Sequence, residues 1–123
     1  MHEFSIAVDL VDLACEEAQR LNAARVHTVH LRLGALSGVD REALLYSFEM
    51  AARGSAIEGA RLHISETTVT AWCDGCERAQ RLWDVRNRRC PVCGAPTPTL
   101  VSGDELTVVS MEIEDANQDR RGP

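Results

Sequence analysis

The sequence predicts an α+β fold: two helices packed on a three-stranded sheet, with a four-cysteine module inserted between the second and third strands. Three observations carry this expectation. Apolar residues recur at helical spacing in two segments, and they alternate with polar residues in three others. Four of the five cysteines stand in two C-x2-C pairs, Cys73/Cys76 and Cys90/Cys93, thirteen residues apart.

From Glu3 to Leu21, Ala7, Leu10, Val11, Ala14, Ala18 and Leu21 form one apolar stripe, with Asp9, Asp12, Glu16 and Arg20 opposite. Cys15 borders that stripe and reads as a small buried hydrophobe. From Arg25 to Leu33 the period becomes two: Val29, Leu31 and Leu33 face one side, Thr28, His30 and Arg32 the other. Gly34 to Gly38 turns the chain. Asp40 is an N-cap candidate for a second helix, Arg41–Arg53, with Leu44, Leu45, Phe48 and Ala52 inward. Gly54 ends it. A second strand follows from Arg61 to about Thr70, rich in Thr, Ile and Val. A third runs from Leu106 to Glu114, with Val109, Met111 and Ile113 on one face. The expected domains are therefore 1–70 with 104–114 as the helix–sheet unit, 71–103 as the cysteine module, and 115–123 as a disordered polar tail.

Composition narrows the function. A chain of 123 residues that is 45% hydrophobic and 26% charged is too apolar for disorder. Its apolar runs are too short to span a bilayer, so no membrane partner is expected. The N-terminus lacks the basic stretch and apolar core of a secretory signal, which points to the cytoplasm and reduced thiols. The net charge of -6 disfavours nucleic acid as a partner. Arg78, Arg81, Arg86, Arg88 and Arg89 do crowd between the cysteine pairs, where they would balance the -2 charge of a four-thiolate zinc site.

Two residues between cysteines let a tight turn aim both sulfurs at one ion, and two such turns close a tetrahedral zinc site. Gly75 and Gly94 give those turns backbone freedom, and Pro91 fixes one φ angle. The module holds few large apolar residues: Trp72, Leu82, Trp83, Val85 and Val92. Units below ~40 residues rarely fold without a metal or disulfide. Structural zinc supplies roughly 10–16 kcal/mol in small peptides. A redox role finds no support, since nothing around either pair reads as thioredoxin-like.

His2 offers a second metal chemistry. Methionine is seldom trimmed before so large a residue, so the free amine is expected on Met1. That amine, the His2 amide and the His2 imidazole form fused chelate rings, and planar nitrogen donors favour Ni(II) or Cu(II). A solvated histidine beside a helix start is the plain alternative, with Glu3 there to suit the helix dipole.

The order of features adds to this. Met1-His2-Glu3 opens a helix, a Gly-Ala-Leu-Ser-Gly-Val-Asp turn follows, then Cys73-x2-Cys76-x13-Cys90-x2-Cys93, then Gly103-Asp104-Glu105-Leu106 leading to Ser110-Met111-Glu112-Ile113-Glu114. Over residues 1 to about 114 this resembles the HypA/HybF family of hydrogenase maturation nickel-insertion proteins. The resemblance implies a non-enzymatic nickel chaperone that carries Ni(II) to the large subunit of [NiFe]-hydrogenase with a GTPase partner, and in some organisms serves urease maturation. It maps nickel onto His2, with Met1 and Glu3 beside it, and an additional carboxylate onto Asp40, whose reading as a helix cap is equally good. Zinc maps onto Cys73, Cys76, Cys90 and Cys93. The chain is a monomer or a homodimer on this reading.

Two other classes compete. A zinc-ribbon module binding nucleic acid or protein would use the five arginines. A hydrolytic zinc enzyme is poorly supported, because four cysteines leave no open position on the metal. His27, His30 and His63 read as strand residues, with His30 and His63 able to modulate behaviour near neutral pH.

Overall fold

The computed structural model describes residues 2–83 and 88–116. Its elements are α1 (Glu3–Arg20), β1 (Ala23–Gly34), α2 (Arg41–Ala52), β2 (Arg61–Thr67), β3 (Thr70–Cys73), β4 (Arg78–Arg81), β5 (Leu100–Ser102) and β6 (Leu106–Asp115). They form two helices and two three-stranded sheets, ordered β2-β1-β6 and β4-β3-β5. The chain divides into two compact units. One takes in the chain up to Leu31, Val39–Ile64 and from Val108 onward; the other takes in Arg32–Gly38 and Ser65–Thr107.

In the helix unit, α1 buries Ala7, Leu10, Val11, Ala14 and Ala18, as the 3.6-residue period requires. The helix stops where Asn22 adopts a left-handed φ of 53° and its N–H donates to Gln19 O, a C-terminal cap. Leu21 therefore falls at the turn and is exposed, contrary to expectation. On α2 the buried face centres on Leu44, Phe48 and Ala52 with Ser47, leaving Leu45 at its margin. On β1, Val29 and Leu31 are buried here, and Val26 joins them out of phase; Leu33, also buried, falls in the second unit. Leu62 and Ile64 of β2 and Ile57 complete this core.

Two strand expectations need correction. The run Arg61–Thr70 is not one strand: β2 ends at Thr67, Val69 is buried in the second unit's core, and β3 starts at Thr70. In β6, Val109 is exposed while Val108, Met111 and Ile113 are half-buried, because burial changes phase across Val109 and Ser110. The strand reaches Asp115; residues 117–123 of the expected tail lie outside the described ones.

The second unit is held by a small core of Val69, Ala71 and Leu82, against which Leu36 and Leu100 pack. Here β3 and β4 form an antiparallel hairpin, Thr70 opposite Arg81 and Cys73 opposite Arg78. Close backbone approach fixes its entry. A Cβ on Gly34 would stand 2.2 Å from the Gly103 carbonyl group, and Gly103 itself has φ 119°. Leu36 N–H donates to Gly103 O at 2.6 Å and Gly34 N–H to Glu105 O at 2.8 Å. The Glu105 carboxylate accepts from Thr67 Oγ1 and from Gly103 N–H, which hold its pKa below the ordinary 4.5.

Candidate metal centres

The hairpin delivers Cys73 at the end of β3 and Cys76 within the turn that follows; Cys90 and Cys93 come from a second turn whose Gly94 has φ 77°. That turn closes by Gly94 N–H to Cys90 O and Cys90 N–H to Ala95 O, both 2.8 Å. It is steadied by Arg89 donating to Gly94 O at 3.2 Å and by Thr97 donating to Arg88 O. All four sulfurs lie within 4.8 Å of one another, with Cys73–Cys93 at 3.4 Å and Cys76–Cys90 at 3.8 Å. Four sulfurs bonded to one tetrahedral ion at about 2.3 Å would stand roughly 3.8 Å apart, so the cluster has the size of a metal site. Both sequence-named pairs meet at one point.

Electrostatics ask for a cation there. Burial, and the neighbouring thiols after it, push Cys76 up to about 12. Burial would raise Cys90 too, but the N–H groups of Cys93 and Val92 donate to its sulfur at 3.5 and 3.4 Å and bring it down to about 6. Four thiolates this close cannot coexist without a positive charge between them. Gln80 fits the same site. It is buried on β4, its amide Nε2 has no hydrogen-bond acceptor among the described residues, and it acts to lower the Cys76 pKa. A metal-bound thiolate is an acceptor for such a donor. Sequence reasoning missed Gln80, because only the Ala71–Gln80 register brings it inward. Cys15, half-exposed on α1, lies outside the cluster.

At the other sequence-named centre, Met1 lies outside the described residues. His2 is exposed at the N-cap of α1 and makes no side-chain cap; its carbonyl accepts from Ile6 N–H at 3.2 Å. Asp40 caps α2, its Oδ1 accepting from Ala43 N–H at 3.0 Å. Glu3 reaches the same place: its Oε2 accepts from Asp40 N–H at 3.0 Å, which lowers its pKa. Thus the two helix starts are tied together, and each carboxylate already serves a backbone amide. The arginines of the cysteine unit are partly engaged as well, Arg81 lying 4.3 Å over the Trp83 ring and Arg89 bound as above; Arg86 lies outside the described residues.

Comparisons with known proteins show the family. The family described as "Hydrogenase/urease nickel incorporation, metallochaperone, hypA" matches residues 1–113. The hydrogenase maturation factor HypA of Roseiflexus sp. (strain RS-1) is 49% identical over 115 residues, covering 94% of each chain. That of Chloroflexus aurantiacus (strain ATCC 29366 / DSM 635 / J-10-fl) is 42% identical over 112 residues, 91% of this chain and 98% of its own. The solution structure of the Ni metallochaperone HypA from Helicobacter pylori superposes with TM-score 0.69 at 24% identity, covering 94% of this chain and 99% of that one, a likeness of fold. The chain belongs to the HypA family of hydrogenase maturation factors and nickel metallochaperones.

Proposed function

We propose that this protein binds Ni(II) at its N-terminus and delivers it to the large subunit of [NiFe]-hydrogenase in the cytoplasm, working with a maturation GTPase and catalysing no reaction itself. The observation that carries this reading is His2: exposed, uncapped, and one residue ahead of a helix whose start is pinned by the Glu3–Asp40 contact. With the Glu3 carboxylate engaged on Asp40 N–H, the donors left at the chain end are nitrogens: the Met1 amine, backbone amides and the His2 imidazole. Nitrogen donors suit Ni(II), and an exposed site of few donors suits a carrier that must release its cargo. The four cysteines hold a structural zinc, kept apart from the cargo by ligand softness and geometry.

The test is nickel titration of untagged, zinc-loaded protein beside three variants. His2→Ala and an N-terminal extension should each abolish specific Ni(II) binding while zinc content and the thermal melt stay as they were. Asp40→Ala should lower stability by about 1 kcal/mol, as loss of a cap does, and leave nickel affinity unchanged. Unaltered titrations for both His2→Ala and the extended protein would place the cargo elsewhere.

A further inference from the structure

The polar face of the first sheet carries a cluster that the cargo and cysteine sites do not use. β1 lies between β2 and β6, and its His30 meets a side chain from each side. The Glu112 Oε2 of β6 stands 3.0 Å from His30 Nε2. The His63 ring of β2 lies 5.0 Å from the His30 ring, centroid to centroid, with the planes at 59°. Glu112 is held from two directions: His30 and then Thr28 hydrogen-bond to it, His27 adds its charge, and together they lower its pKa.

We infer that His30 and His63 form a two-imidazole site for a borderline divalent cation such as Ni(II), Cu(II) or Zn(II), with Glu112 orienting His30. The argument is one of donors and spacing. When Glu112 accepts the Nε2 proton, His30 is fixed in the tautomer whose Nδ1 lone pair is available to an ion. A carboxylate on the far nitrogen of a ligating histidine both orients the ring and raises its basicity. The spacing agrees. With metal–nitrogen bonds of about 2.0–2.1 Å, two imidazoles on one ion have centroids roughly 4.5–5.2 Å apart for square-planar to tetrahedral angles. The observed 5.0 Å falls within that range. His63 is exposed, so turning its ring to aim a nitrogen at the ion displaces no packed neighbour. Arg61, two residues away on the same strand, disfavours ions held by charge alone and leaves those that favour imidazole nitrogen over Mg(II) or Ca(II).

The experiment uses full-length, zinc-loaded His2→Ala protein, so that the N-terminal chelate is silent and the outcome does not depend on the cargo reading. Ni(II) titration by calorimetry, with the stoichiometry checked by native mass spectrometry, should show one further ion per chain. His30→Gln and His63→Gln should each abolish it. Glu112→Gln should weaken it by about 10–100-fold, the usual effect of removing an orienting carboxylate. Cu(II) loaded in place of nickel should give an electron paramagnetic resonance spectrum with imidazole nitrogen couplings, and these should disappear in His63→Gln. Circular dichroism confirms that each variant is folded. Uptake of no ion beyond the cysteine site overturns the inference, as does binding that neither His30→Gln nor His63→Gln alters.

Discussion

The two compact units solve the same problem by different means. The helix unit buries Leu10, Val11, Val29, Leu31, Leu44, Phe48, Ile57 and several alanines, enough apolar surface to order its helices. The cysteine unit has Val69, Ala71 and Leu82 as its fully buried aliphatic cluster, and leaves Trp72, Trp83, Val92 and Val101 exposed. Where one unit has a large core, the other supplements a small one with Cys73 and Cys90, buried in the four-sulfur cluster. The difference teaches that a sulfur cluster of the size of a metal site stands where side-chain packing is thin, so that the two units should fail separately.

The largest break should come from Cys90→Ser. It removes the sulfur that accepts the Val92 and Cys93 amides, and with it a share of the roughly 10–16 kcal/mol that zinc ligation supplies to small domains. Zinc content should fall, and amide-exchange protection should vanish across β3, β4 and β5 while α1 and α2 stay protected. Simultaneous loss of both would mean that the units do not fail separately. Next in size is Phe48→Ala. Phe48 is 2% exposed, and emptying such a site costs about 3–5 kcal/mol. Chemical denaturation should show that loss in α1 and α2, with zinc content unchanged.

The smallest effect sharpens the comparison through pH. Glu105 has its pKa lowered from 4.5, first by Thr67 and also by the Gly103 amide. A carboxylate whose folded pKa is depressed contributes stability that is present above its unfolded value and is lost as pH falls through the folded one. Urea melts of wild type and Glu105→Gln, taken from neutral pH down past 4.5, should differ most near neutrality and converge in acid. A gap that stays constant with pH would remove ionisation of Glu105 as the cause.

Legibility in the sequence followed the strength of each local pattern. The bounds of α1 and α2 emerge within a residue of expectation, because their stripes run for three or more turns and Asp40 and Asn22 are good terminators. The cysteine site was legible from spacing alone, since a C-x2-C turn imposes its own geometry. β4 and β5 were not: strands of four and three residues are too short to show a period, and β4 lies in an arginine-rich stretch besides. The Glu3–Asp40 contact spans 37 residues and His30–Glu112 spans 82. Only the folded path brings such pairs together. The cap on α2 was legible because it is local: Asp40 and Ala43 stand three residues apart.

Both tryptophans of the chain, Trp72 and Trp83, lie in the cysteine unit, and its single tyrosine, Tyr46, lies on α2. Trp72 donates its indole N–H to Asp74 Oδ1 at 3.0 Å, one residue from Cys73, while Trp83 lies against the Arg81 guanidinium. Indole emission is thus an optical gauge of one half of the molecule alone. Zinc loss should change the fluorescence spectrum at once, whereas events at His2 or on the sheet face should leave it nearly still. The protein comes with its own selective dye, and a fluorimeter can follow the cysteine unit without a label.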